Sequence, residues 1–242
     1  MLNNRIISDL NAKDTIYKNI LYFVLGISFA GAIFFFPEGY HQYAQEDGII
    51  ETAGAIFFGL SSLFFFSCIF RIYKSKNSKL LLAISGTLCW AVLAFVCFGE
   101  EISWGQRIFN FETPSEIKVT TYHSNEGMLK NMQNETNIHN MGFFYEYIGA
   151  WKITMGLLIL IGIVYPISAY FSPLSKLYKF FNLPVPPLYL IGLSISGILI
   201  QYGLKDIAYF PNDTSETYEM LLGLMFFLFS KHAWSNPQKS YL

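Results

Sequence analysis

The sequence predicts an all-α fold: a polytopic membrane helix bundle of about six transmembrane helices, with a partly helical outer segment between the third and fourth. Three observations predict it. Of the 242 residues, 53% are hydrophobic and 14% charged, whereas an average soluble domain carries about 25% charged residues. Several apolar runs approach the roughly 20 residues that a helix needs to cross a hydrocarbon core about 30 Å thick. Lys and Arg also cluster in alternate connecting segments, the pattern that membrane insertion imposes.

Taken in order, the first sixteen residues are polar, and the apolar run after them lacks a small-residue cleavage site. That run, about 20–36, reads as a retained helix rather than a signal peptide. The second span covers about 50–70 and carries Glu51 at its start, the third covers about 80–98, and the fourth about 153–171. The fifth begins near Leu188 and extends through Gln201 (about 188–210), and the sixth, about 218–234, carries Glu219 at its start. Both acids sit at helix ends, where a charge costs least. Cys68, Cys89 and Cys97 all lie inside apolar runs and read as small core residues, with no disulfide framework. The whole chain, 1–242, reads as one membrane domain.

The loop charges set the expected orientation. One alternating set of segments holds Arg5, Lys13 and Lys18, then Arg71, Lys74, Lys76 and Lys79, then Lys176 and Lys179, then Lys231 and Lys239. The other set holds Arg107, Lys118 and Lys130, and its loops 37–48 and 211–216 contain no Lys or Arg. Cytoplasmic segments retain positive charge, so both termini are expected in the cytoplasm. Apart from Asp9 and Asp14, every Asp and Glu then falls in an outer loop or at an outer helix end. A net charge of −1 and the lack of any basic helix exclude a nucleic-acid partner. The expected partners are membrane lipids, a lipid-linked substrate or another membrane protein.

The outer segment, 99–150, is the one long extramembrane stretch, and such a loop in a compact protein usually carries function. It opens on Gly99-Glu100-Glu101-Ile102-Ser103-Trp104-Gly105-Gln106-Arg107, alternating polar and apolar at near-helical spacing. Ile102, Phe109 and the Trp104 ring fit an interface, with Glu100, Glu101, Gln106 and Arg107 facing a polar pocket. It closes on Asn134-Glu135-Thr136-Asn137-Ile138-His139-Asn140 before the fourth span. The pairing of GEEISWGQR with NETNIHN, together with the EDG-x-x-E element Glu46-Asp47-Gly48-Ile49-Ile50-Glu51, resembles a family of uncharacterised bacterial multi-pass membrane proteins. The resemblance covers most of the chain. It implies a bacterial setting, hence the cytoplasmic (inner) membrane, and supplies no mechanism.

Glu100, Glu101, Glu135 and His139 form the sharpest candidate catalytic constellation. Glu135 and His139 lie four apart and would share a helix face, and carboxylate with imidazole suits a divalent metal that activates water. Glu101, Glu135 and His139 are therefore the candidate metal ligands, with a hydrogen-bonded structural network as the plainer reading. Without a metal, one carboxylate could act as base and another as acid, with Arg107 holding an anionic substrate. Against this stands a simple ion pair between a glutamate and Arg107. Gln106, Glu51, Lys205, Asp206 and Trp104 complete the candidate substrate-binding set. No G-x-S-x-G elbow occurs, and Ser103 is the hydroxyl beside the acids. Ser194, Gly197, Gln201 and Lys205 fall at helical steps along the fifth span. They read either as a polar stripe facing the bundle interior or as small residues permitting close packing. Three classes of function stay open: a membrane enzyme acting on a lipid-linked or amphiphilic substrate, a binding, assembly or sensing protein, and a transporter or channel.

Overall fold

The structure, a computed structural model, describes residues 6, 9–44, 48–74, 80–115, 138, 141, 148–204 and 211–236. Among these most residues are helical and none forms a strand. Four helices are long and apolar enough to cross a bilayer, over Lys13–Ala32, Ile49–Lys74, Ile84–Glu101 and Trp151–Ser168. The apolar helix Leu188–Gly203 is shorter. The last helix, Pro211–Ser235, has 25 residues but carries Asp213, Glu216, Glu219 and Lys231 along its length.

Helix α1, Lys13–Phe35, starts seven residues before the apolar run, and Asp14 and Lys18 close a salt bridge of 2.8 Å across its first turns. The short α2, Pro37–Ala44, begins on proline, whose missing N–H costs nothing at a first helical position. It buries Tyr40, whose hydroxyl meets Thr217 Oγ1 at 2.7 Å. Helix α3, Ile49–Lys74, has Glu51 in its first turn and Arg71 and Lys74 in its last, an order the helix dipole favours. Helix α4 runs Leu80–Glu101.

The fourth span is one rod made of α5, Ala150–Ile159, a wider π turn at Leu160–Val164, and α6, Tyr165–Ser168. The π turn has a local cause. In a regular helix the Pro166 ring would strike the carbonyl of Gly162, and widening the turn removes that clash. A surface helix, α7, covers Ser172–Phe180, and α8, Ile191–Leu199, follows a 3₁₀ turn and ends in a second π turn at Ile200–Leu204. The last helix, Pro211–Ser235, is α9.

The core lies where α3, α4 and α9 meet. Phe58 packs edge-on to Phe226 at 5.4 Å, Phe65 to Phe229 at 5.2 Å, and Trp90 to Phe229 at 5.3 Å. Small hydroxyls stitch the helices: Ser62 donates to the Ala91 carbonyl across α3 and α4, and Ser194 to the Leu158 carbonyl across α8 and α5. Meanwhile Leu63, Phe66, Val92 and Phe95 point outward. Small polar groups inside and large apolar groups outside is the distribution a lipid solvent selects. Ser194 and Gly197 thus face the neighbouring rod, Gly197 against the Leu158 side chain, which is the close-packing reading of that stripe.

The two ends of the bundle differ in charge. At one end Arg71 donates to the Trp234 carbonyl at 2.9 Å, Lys18 sits over the Tyr189 ring at 5.0 Å, and Tyr189 meets His232 at 5.9 Å. The other end holds Glu51, Glu100, Glu101, Glu216 and Glu219.

Candidate functional site: an acidic cleft at one end of the bundle

Helix dipoles place carboxylates cheaply at helix starts, which accounts for Glu51. Glu100 and Glu101 are the opposite case, since they end α4, where the dipole disfavours negative charge. Other contacts hold them there. The Glu100 carboxylate accepts the Trp104 indole N–H through Oε1 at 2.6 Å and the Ile138 backbone N–H through Oε2 at 2.7 Å. It ties the end of α4 to the far part of the outer segment.

The backbone after Glu101 is shaped to allow that grip. Instead of continuing as a helix, the chain turns through three left-handed residues, Ser103, Trp104 and Gly105, at φ of 46°, 52° and 84°. The turn folds the Trp104 ring back over Gly99, two residues before the end of α4. A side chain at position 105 would meet both strain and the Phe109 ring, 3.0 Å from its Cβ. Beyond the turn, Gln106 donates to Thr113 Oγ1 at 3.0 Å. The GEEISWGQR element is therefore a folded corner between α4 and a short helix, Gln106–Phe109, so its near-helical spacing is broken at Ser103–Gly105.

A second close approach brings the other acids in. Helices α3 and α9 cross where a Cβ on Gly223 would stand 2.9 Å from the Gly54 carbonyl oxygen. With the backbones in contact, Glu51 and Glu219, one turn from the crossing on each helix, lie at the same end. Burial and the nearby acids Glu219, Glu216, Glu51 and Glu100 all bear on the Glu101 carboxyl.

Glu100, Glu101 and Glu219 line one end of a cleft of about 220 Å³. Its walls grade in polarity. On each helix the polar residue stands nearer the end and an apolar one lies a turn or two deeper: Glu100 and Glu101 above Leu93 and Val96, Glu219 above Leu222, and Thr154 above Leu157. Phe58, Cys97, Ile138 and Ile153 complete the apolar wall. A concave, mostly apolar cleft with convergent polar groups at one end is the usual form of a small-molecule site.

The structure brings together Glu51, Glu100 and Glu101 and adds Glu216 and Thr154, which the sequence reading left out. Glu216 stands three residues before Glu219 on one helix, and Thr154 lies at the start of a span beside the acids; those positions were the available signals. Trp104 and Gln106 serve the corner. Glu135, His139, Lys205, Asp206 and the Arg107 side chain lie outside the described residues, so the metal set and the ion pair with Arg107 do too. Among the described residues, no group of three or more His, Cys, Asp or Glu is arranged to hold a metal ion.

Fold and site together define an all-helical protein whose four long apolar helices fit a membrane-embedded chain, with an acidic cleft at one end. Comparison with protein-family models, curated proteins and solved structures found no match to this chain.

Proposed function

We propose that the acidic cleft binds an amphiphilic, lipid-linked molecule, and that the protein is a membrane-embedded enzyme acting on that molecule. The apolar chain enters between Leu93, Leu157 and Leu222, and the head, cationic or rich in hydrogen-bond donors, meets Glu101 and Glu219. The polarity gradient along the cleft supports this reading: apolar walls toward the bundle interior, carboxylates toward the helix ends. Acids gathered around Glu101 make one another's ionisation costly, and a cationic head among them offsets that repulsion. Glu100, with both oxygens engaged by Trp104 and Ile138, acts as a positioning residue that closes the cleft.

In this reading six helices cross a bacterial cytoplasmic membrane, both termini are cytoplasmic, and the cleft opens on the outer side. The basic groups at the opposite end, Arg71, Lys18 and Lys231 among them, support that orientation under the positive-inside rule.

The test uses the purified full-length protein in nanodiscs, titrated with a fluorescent long-chain amine and the matched long-chain acid. The amine binds in preference, and Glu101→Gln weakens it about tenfold, the worth of one charge-assisted hydrogen bond. Equal binding of both probes, or binding indifferent to Glu101→Gln, overturns the proposal. A reaction catalysed on the natural ligand disappears in Glu101→Gln at unchanged folded abundance, which separates an enzyme from a binding protein.

A further inference from the structure

Helix α7, Ser172–Phe180, rests on the bundle yet buries none of its residues. Two contacts pin it. The Tyr178 hydroxyl and Ser168 Oγ share a hydrogen bond of 2.7 Å, and the Tyr178 ring stands edge-on to Tyr165 at 4.8 Å. Just past the helix, the Phe181 carbonyl accepts the Gly86 N–H at 3.2 Å. The rest of its surface divides in two. Leu174, Leu177 and Phe181 follow at steps of three and four along one exposed face, with Phe171 and Phe180, also exposed, at its edges. At about 100° per residue, Ser172, Ser175, Lys176 and Lys179 fall on the opposite half.

The fold says what covers the apolar half. Helix α7 follows directly on Trp151–Ser168, one of the four helices long and apolar enough to cross a bilayer, so it begins where that span leaves the hydrocarbon. An amphipathic helix at that level lies in the plane of the interface, its apolar half among the upper acyl chains and its polar half among the headgroups.

The polar half is cationic and unopposed. No Asp or Glu occurs between Glu146 and Asp206, and among the described residues neither Lys176 nor Lys179 forms a salt bridge. Asp9 and Asp14 share a cavity wall with Lys179, but they are held by Tyr170 and Lys18. Lys176 and Lys179 stand three apart on one helix, about 5–6 Å between Cβ atoms, so their ammonium groups can hold one phosphodiester between them.

We infer that α7 is an interfacial helix that binds anionic phospholipid, gathering phosphate at Lys176 and Lys179 above acyl chains that pack under Leu174, Leu177 and Phe181. This lipid contact is separate from the acidic cleft and holds on either side of the membrane.

The test uses the full-length protein with Cys68, Cys89 and Cys97 replaced and a small fluorophore on Leu177→Cys, reconstituted in phosphatidylcholine nanodiscs. A fraction of the lipid carries a nitroxide quencher near the top of one acyl chain, on phosphatidylglycerol or on phosphatidylcholine. Both lipids quench the label at Leu177→Cys more strongly than the same label at Ser175→Cys. Phosphatidylglycerol quenches at a mole fraction at least about fivefold lower than phosphatidylcholine does, since each lysine near an anionic surface is worth about 1 kcal/mol. Lys176→Gln combined with Lys179→Gln removes that difference, and the paired change to Arg keeps it. Equal quenching by the two lipids, or a preference that persists in the folded double Gln variant, overturns the inference. So does a label at Leu177→Cys that neither lipid quenches, which would mean that protein covers the face. Loss of the preference in soluble glycerol phosphate at the lipid's own concentration overturns the lipid assignment. The comparison of the two lipids with both lysines in place decides the matter even where a lysine variant does not fold.

Discussion

Gly54 and Gly223 meet so closely that a single added Cβ on Gly223 would press to 2.9 Å from the Gly54 carbonyl oxygen. This contact is the pivot on which α3 and α9 cross, and it sets the spacing of Glu51 and Glu219 above it. Gly223→Leu forces the helices apart and costs about 1–3 kcal/mol of stability, the usual penalty for overpacking. Thermal unfolding of the purified variant reads that loss. Unchanged stability would mean that the helices do not touch there.

Glu100 and Trp104 make a second checkable pair. Trp104→Phe keeps the ring over Gly99 but removes the N–H that Glu100 accepts, and Glu100→Gln weakens both of its hydrogen bonds. Each change loosens the hold on Ile138, and hydrogen exchange at the Ile138 amide quickens by about ten- to a hundredfold, as expected for weakening a charge-assisted bond worth about 1.5–3 kcal/mol. Exchange at core amides of α9 stays unchanged. If Ile138 exchanges at the wild-type rate in both variants, the corner is held by something else.

The orientation is testable without a ligand. With Cys68, Cys89 and Cys97 replaced, a membrane-impermeant thiol reagent on intact cells labels Ser115→Cys, on the acidic side, and leaves Lys176→Cys of α7 unlabelled until the membrane is opened. Both positions are exposed. The reverse pattern inverts the topology.

Much of the helical architecture is legible in the sequence, because apolar length and loop charge act at the scale of whole helices. The ends of those helices are less so. Lys13–Phe35 begins earlier than its apolar run, and the Asp14–Lys18 pair bridges its first turns, a contact of two polar residues that hydropathy does not see. The second half of GEEISWGQR has helical spacing, yet Ser103 and Trp104 adopt left-handed backbone, a conformation that side chains other than Gly, Asn and Asp rarely take. Trp104 reads from sequence as an interfacial ring, and its indole N–H also holds Glu100, a contact that spacing does not reveal. The gathering of acids was legible as a shared end of several helices. What makes it a cleft is the Gly54–Gly223 crossing and the apolar walls from Leu93, Leu157 and Leu222, contacts between residues far apart in the chain that no local pattern encodes.

The central claim is that the cleft takes an apolar chain with a cationic or donor-rich head at Glu101 and Glu219. Leu157→Trp fills the apolar part of the cleft without touching a carboxylate, and Glu101→Gln alters the head contact without touching the walls. The direct measurement is the affinity of the fluorescent long-chain amine for the wild type and these two variants, with thermal unfolding confirming that each is folded. The account predicts that both variants weaken binding about tenfold or more, with short-chain amines binding poorly to all three proteins. Full affinity in folded Leu157→Trp, or equal affinity for short and long chains, would contradict it.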